Sequence, residues 1–289
     1  MADLAGVRFT KGHGTQNDFV LVPDLDGTNE LTTEQVQLLA DRHAGIGGDG
    51  VIRVVRAEHA PVPAGREQAG AASWFMDYRN ADGSEAEMCG NGARVLAAFL
   101  RREGLESADE FPIATRSGVR QVRCFGQQFA VDLGPWRVVD ELGARERGFD
   151  ATVRPRGGAE LPALRMDLGN PHTVVILPEE MALEELDLTE APLVSPEPAE
   201  GTNVEFVRIL APGHLAMRVH ERGVGETRSC GTGAAAAALA TRWWEGESEE
   251  NLEWVVDVLG GRLTVRVLPG HQVELAGPAV LVADGTTSL

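Results

Sequence analysis

Two cysteines each open a short glycine-rich segment that runs into an alanine-rich stretch. The first reads Met88-Cys89-Gly90-Asn91-Gly92-Ala93-Arg94, and the second reads Ser229-Cys230-Gly231-Thr232-Gly233. A thiol followed by Gly-X-Gly and a helical run sits at a helix N-terminus, among backbone N–H groups that attract anions and favour a thiolate. A pair of such elements suits a reaction in which one substrate meets a thiolate on one side and a thiol on the other. Inverting an amino-acid α-carbon is of that kind. The carbanion forms beside a carboxylate, so the site needs a close base, a dry surround and N–H dipoles aimed where charge collects. Cysteine, with a free pKa of about 8.5, fits the base, and a second acid must serve the opposite face.

Three blander readings compete. Free cysteines are commonly small buried core residues. Two facing thiols could form a regulatory disulfide, although neither lies in Cys-X-X-Cys. The Gly-X-Gly segments could cradle a nucleotide phosphate, but they lack the lysine of a P-loop and the placement of a dinucleotide fingerprint. Cys124 lies in an alternating stretch without a glycine loop, and there the core reading stands.

Composition narrows the class. With 289 residues, 43% hydrophobic and 24% charged, the chain has the make-up of a globular protein with room for two domains. A formal charge of −18 argues against nucleic acid or an anionic membrane as partner. The N-terminus shows no secretory pattern, and three unpaired cysteines point to a reducing cytoplasm. Lys11 is the one lysine among 26 basic residues, so a pyridoxal phosphate Schiff base has almost nowhere to form. No cofactor and no metal are expected. Assembly stays open, with a homodimer as one option.

The elements that must hold these cysteines repeat along the chain. A helix is expected over 90–102 and another over 231–244. Each is followed by three alternating segments: 111–115, 119–124 and 128–133 after the first, and 253–258, 262–268 and 272–275 after the second. Val122-Arg123 answers Val265-Arg266, and Gly134-Pro135 answers Gly277-Pro278, which reads as an internal duplication. Strands are also expected over 7–10, 19–22, 51–55, 74–78, 165–168, 173–177, 204–210 and 215–220. Helices are expected over 33–42, with Thr32 as N-cap, and more weakly over 182–188. Residues 57–72 read as a surface insertion, and 135–162 as a crossing between halves. The expected class is α+β: two similar domains from an internal duplication, each with antiparallel strands wrapped around a central helix. Their expected extents are 1–134 plus 277–289, carrying Cys89, and 135–276, carrying Cys230.

Other polar strings surround the two cysteine elements. They are Lys11-Gly12-His13-Gly14-Thr15-Gln16-Asn17-Asp18-Phe19, Asn80-Ala81-Asp82-Gly83-Ser84, Gly169-Asn170-Pro171-His172, Gly201-Thr202-Asn203, and Glu221-Arg222-Gly223 leading to Gly233. Singly, an Asn beside Gly or Pro is a turn former. In this order, over nearly the whole chain, they resemble the diaminopimelate epimerases. The resemblance implies a cofactor-independent enzyme interconverting LL- and meso-2,6-diaminopimelate, in lysine and peptidoglycan precursor synthesis. It implies Cys89 and Cys230 as acid and base, with backbone at Gly90, Asn91, Gly231 and Thr232 holding the reacting carboxylate. It also implies Asn17, Asn80, Asn170, Asn203, Glu221 and Arg222 as substrate binders, and His172 and Glu221 as tuners of the thiols. A guanidinium such as that of Arg222 suits the distal carboxylate. The segment from about Gly277 should return to the first domain. The chain departs from the family at Gly50, where many members carry Gln. A proline racemase or hydroxyproline epimerase shares the two-cysteine logic but binds a one-headed substrate.

Overall fold

A computed structural model of the chain describes residues 4–247 and 252–289; the first three residues of the N-terminal segment read above lie outside it. In chain order the elements are β1 (Arg8–Gly14), β2 (Asn17–Pro23), α1 (Thr33–Ala40), β3 (Gly50–Arg56), α2 (Pro63–Glu67), β4 (Trp74–Asn80), α3 (Gly90–Arg102), β5 (Glu110–Thr115), β6 (Gly118–Phe125) and β7 (Gln128–Pro135). There follow β8 (Arg137–Val138), α4 (Glu141–Arg147), β9 (Ala151–Arg154), β10 (Leu161–Asp167), β11 (Pro171–Ile176), β12 (Leu193–Ser195), β13 (Asn203–Ala211), β14 (His214–Glu221) and β15 (Gly225–Thr227). The chain ends with α5 (Gly231–Trp244), β16 (Glu253–Val258), β17 (Gly261–Leu268), β18 (Gln272–Pro278) and β19 (Val280–Thr286). It divides into two compact units, Met1–Asp132 with Gly277–Leu289, and Leu133–Ala276.

In the first unit α3 is the core. Every residue from Gly90 to Leu100 is buried, because strands surround the helix, and apart from Asn91 and Arg94 these residues are small or apolar. Leu96, Phe99 and Leu100 pack with Phe19, Leu21, Ile52, Trp74, Met76, Ile113 and Val131. Each fully buried side chain of this size contributes about 1.5–3 kcal/mol. The sheet runs β19-β1-β2-β3-β4-β5-β6, with β19 pairing antiparallel to β1 from Arg8 opposite Thr286. That pairing is the return of the C-terminal segment. On the outer face α1 covers β2 and β3 through Val36 and Leu39 against Val20 and Val51. Thr32 caps α1 in a capping box with Gln35, as its sequence predicts.

The second unit repeats the plan around α5, buried from Gly231 to Thr241 except at Thr232. Strands β10, β11, β13, β14, β16, β17 and β18 take the places of β1 to β7. In both units the meander after the cysteine helix is antiparallel, as expected. Two pairings per unit are instead parallel: β2 with β3 and β4 with β5, β11 with β13 and β14 with β16. In each pair the connection crosses over before the chain re-enters the sheet, so the second strand arrives in the same direction as the first.

Three local expectations change. Residues 57–72 hold α2, and Ala57, Ala60 and Ala72 bury against Phe75 and Ala114, so the insertion is partly core. Over 182–188 the helix reduces to one 3₁₀ turn, Leu183–Glu185. The crossing after Pro135 carries β8, α4 and β9, with Asp140 capping α4.

Candidate active site

Each cysteine is the N-cap of its helix, in extended backbone conformation, as the Cys-Gly-X-Gly reading requires. The first-turn amides of each helix therefore point out of the end that carries the sulfur. The two surroundings differ, and each belongs to its own unit.

Around Cys89, the turn between β1 and β2 brings Asn17 to the helix. Cys89 Sγ lies 3.7 Å from Asn17 Oδ1, and the Asn91 side-chain amide donates to the same oxygen at 3.1 Å. Asn17 in turn donates to Asp49 Oδ2 at 2.7 Å. Arg42 bridges Asp49 and Asp18 at 2.7 Å to each, and Lys11 bonds Asp18 from the other side. Burial pushes the Asp18 carboxyl up, but Arg42 and Lys11 outweigh it and hold it well below the usual carboxylate range. Asn80 lies at the end of β4, its Oδ1 accepting from the Tyr78 hydroxyl at 3.0 Å and its amide donating to Ser84 Oγ at 3.0 Å. The structure thus joins Asn17, Cys89 and Asn91 directly, while Asn80 sits in its own small network.

Gly50 settles its own departure from the family. A Cβ there would lie 2.5 Å from the Arg79 carbonyl oxygen and 2.6 Å from the Tyr78 ring. Strand β4 crosses too closely for any side chain, so Gln cannot be accommodated on this backbone.

Around Cys230 the contacts form a chain. Glu205 Oε1 lies 2.7 Å from His172 Nδ1, and His172 Nε2 lies 3.0 Å from Asn170 Oδ1. The Asn170 amide donates to Thr232 Oγ1 at 3.2 Å, and Thr232 Oγ1 is 3.6 Å from Cys230 Sγ. The Gly233 N–H donates to that sulfur at 3.3 Å. Glu205 and His172 are both fully buried. They meet because β11 and β13 run parallel, with His172 beside Asn203 and Val174 beside Glu205. Gly233 is required here: a Cβ would come within 2.7 Å of Glu205 Oε1.

Asn203 holds the remaining pair in place. Its amide donates to the Pro171 carbonyl at 3.1 Å and its Oδ1 accepts from the Arg222 backbone N–H at 2.9 Å. Glu221 accepts from the Thr227 hydroxyl. The Arg222 side chain is 42% exposed and, among the described residues, bonds the Glu200 carbonyl at 3.1 Å, with the Glu200 carboxylate at the edge of ion-pair range. Its guanidinium is open to a further anion.

The electrostatics at Cys230 correct one expectation. A helix N-terminus should draw a thiol pKa down, yet burial pushes Cys230 well above its ordinary value, and Glu221 and Glu205 add to the rise. The Thr232 and Gly233 hydrogen bonds oppose this and lose. Burial and the two carboxylates therefore favour the thiol form of Cys230 in this arrangement. Cys124 is also pushed up, mainly by burial, and lies on β6 near Arg101 of the last turn of α3, not at a helix N-terminus.

Sequence reasoning missed Glu205, Asp49 and Arg94. Glu205 leaves a faint signal, a carboxylate between Val204 and Phe206 in a strand that is otherwise apolar inward. Arg94 leaves another, a guanidinium inside the apolar helix α3. Among the described residues, no group of three or more His, Cys, Asp or Glu side chains is placed to hold a metal ion. No described helix is long and apolar enough to cross a membrane.

Comparison with known proteins places this arrangement. The family model described as diaminopimelate epimerase matches residues 9–139 and 165–282. The diaminopimelate epimerase of Thermobifida fusca is 46% identical, covering 98% of each chain. That of Streptomyces coelicolor is 44% identical over 96% of this chain and 94% of its own. Among solved structures, a phenazine biosynthesis protein of the PhzF family from Bacillus anthracis shares the fold, with a TM-score of 0.69 at 18% identity over 98% of this chain and 99% of that one. With two cysteine-capped helices in a duplicated α+β fold and matches of this extent, the chain belongs to the diaminopimelate epimerase family.

Proposed function

We propose that the protein epimerises LL-2,6-diaminopimelate to meso-2,6-diaminopimelate and back, using Cys89 and Cys230 as the proton acceptor and donor and no cofactor. The observation that carries this reading is the doubled cap: each cysteine sulfur shares a helix end with first-turn amides that suit a carboxylate. Gly90 and Asn91 on one helix, and Gly231 and Thr232 on the other, supply those amides. As the α-proton leaves, negative charge spreads onto the adjacent carboxylate, and fixed N–H dipoles stabilise it without reorganising. Inversion then needs a proton from the opposite face, which a second thiol supplies.

The supporting residues divide the remaining work. Asn17, Asn80, Asn170 and Asn203 bind the substrate's polar ends, their amides already oriented by Asp49, Ser84, His172 and Pro171. Arg222 takes the distal carboxylate, and Glu221 a cationic amino group. His172 and Glu221 tune the thiols, His172 through Asn170 and Thr232 and Glu221 through its charge near Cys230. The three free cysteines suit a reducing cytoplasm. The homodimer left open above would show as a doubled mass by light scattering.

Incubating the dialysed protein with LL-diaminopimelate in deuterated water tests the function. The expected result is meso isomer carrying deuterium at the inverted α-carbon, with no added cofactor. Absence of that product, or comparable turnover of proline, would overturn the reading in favour of a one-headed substrate.

A further inference from the structure

The guanidinium of Arg94 lies inside α3, 0% exposed, one turn beyond Cys89. Its Nη2 donates to Asn91 Oδ1 at 2.5 Å and to Thr15 Oγ1 at 3.3 Å. Its Nε and Nη1 are buried with no hydrogen-bond partner among the described residues. Among the described residues it forms no ion pair with a carboxylate. A buried cation left this way is costly, and near a helix N-terminus it also opposes the dipole. Nothing about packing calls for it, since Leu or Met would fill an apolar helix at less cost.

The backbone around Arg94 is shaped to it. A Cβ at Gly14 would lie 2.9 Å from Arg94 Nη2, so the guanidinium occupies the space a side chain would need. The next two residues, Thr15 and Gln16, hold left-handed backbone angles at φ 50° and 65°. For a β-branched threonine that conformation is strained, and Arg94 grips its hydroxyl. This turn is the one that delivers Asn17 to Cys89.

The hydrogen bonds also have a direction. Arg94 can only donate, so the Asn91 oxygen must face it and the Asn91 amide must face outward. That amide donates to Asn17 Oδ1, which leaves the Asn17 amide to donate to Asp49. One buried guanidinium thereby fixes the flip of both asparagines next to the sulfur. Burial draws the Arg94 guanidinium down to about 10, with Cys89 opposing the fall, so it stays cationic at neutral pH.

We propose that Arg94 is a positioning residue of the first half-site, placing a buried positive charge beside the Cys89 element and fixing which way the Asn91 and Asn17 side chains face next to the sulfur. This rests on the epimerase reading for the substrate, but its first test needs no substrate. In a Cys124→Ala, Cys230→Ser background, Cys89 is the sole thiol, and its alkylation by iodoacetamide at pH 7 reports the thiolate. Arg94→Gln should slow that alkylation about tenfold or more, one pK unit being tenfold, while Arg94→Lys stays within about threefold. In the otherwise native enzyme, Arg94→Lys keeps the charge but loses the fork. It should raise KM for diaminopimelate at least about fivefold with a smaller change in kcat. A purely structural arginine would lower the melting temperature without moving the alkylation rate. An unchanged alkylation rate in Arg94→Gln, or, should that variant not fold, an Arg94→Lys enzyme with native KM, would overturn the proposal. A failure of the epimerase reading would appear separately, as absence of turnover in the unmodified protein.

Discussion

Replacing Glu205 with Gln removes one of the two carboxylates whose fields reach Cys230 and leaves the shape of the site intact. A Cβ at Gly233 would lie 2.7 Å from Glu205 Oε1 and 3.2 Å from Cys230 Sγ, so carboxylate and sulfur stand within about 6 Å of each other. At an effective dielectric of about 20, two unit charges at that distance interact by about 3 kcal/mol, equivalent to roughly two pK units. His172 takes up part of the Glu205 charge at 2.7 Å, which reduces the expected shift to about one unit. The sign is firm: removing a neighbouring anion makes the thiolate easier to form, so the Cys230 midpoint falls. Gln offers His172 Nδ1 either a donor or an acceptor at the same place, so the Asn170–Thr232 chain should survive. The assay is the pH dependence of iodoacetamide alkylation in a Cys89→Ser, Cys124→Ala background, with circular dichroism as the check on folding. A midpoint that does not move, or that rises, would refute the claim that the Glu205 charge acts on this sulfur.

The remaining expectations concern the distal clamp, the core and alkaline stability. Arg222→Lys should lose bidentate pairing with a carboxylate and lower kcat/KM for diaminopimelate by about tenfold to a hundredfold, as steady-state kinetics would show. Arg53 bonds Asp24 at 2.9 Å and Asp77 at 2.8 Å in the buried sheet, so Arg53→Met should leave Asp24 without a cation, Asp77 keeping Arg116 at 2.6 Å, and cost about 3–5 kcal/mol in urea unfolding. The folded-state pKa of Cys230 is raised above the ordinary 9.0, so the native protein holds this proton more tightly than the unfolded chain. Its contribution is complete below about pH 9 and is lost above it, at up to about 1.4 kcal/mol per pH unit until the folded thiol ionises. Cys230→Ala should flatten that alkaline decline relative to the native protein.

Much of this architecture can be read in the residues because it rests on local rules. The helices at 90–102 and 231–244 begin and end where the Gly-X-Gly start and apolar run place them, and the meanders follow their alternation and glycine turns. The parallel pairings were hidden because strand direction depends on which connections cross over, and no short-range pattern encodes that. Residues 57–72 looked like surface because alanine and glycine carry little hydrophobic signal, although Ala57 and Ala72 fill close gaps against Phe75. The sulfurs could be found from their motif, whereas their surroundings could not. The Glu205–His172 contact joins strands separated by more than thirty residues, and only the β11–β13 register creates it. Burial also reverses the helix-end expectation at Cys230, because two carboxylates on β13 and β14 converge on a sulfur that local sequence places only beside N–H groups.

The division of labour between two thiols is tested most directly by removing each sulfur alone. Turnover of LL-diaminopimelate would be measured for Cys89→Ala, Cys230→Ala and Cys124→Ala, each checked for native circular dichroism. The expected result is a loss of about a hundredfold to ten-thousandfold or more in each of the first two, the range a positioned acid or base supplies, and near-native turnover in the third. Wild-type turnover in a folded Cys89→Ala or Cys230→Ala enzyme would contradict the two-thiol mechanism.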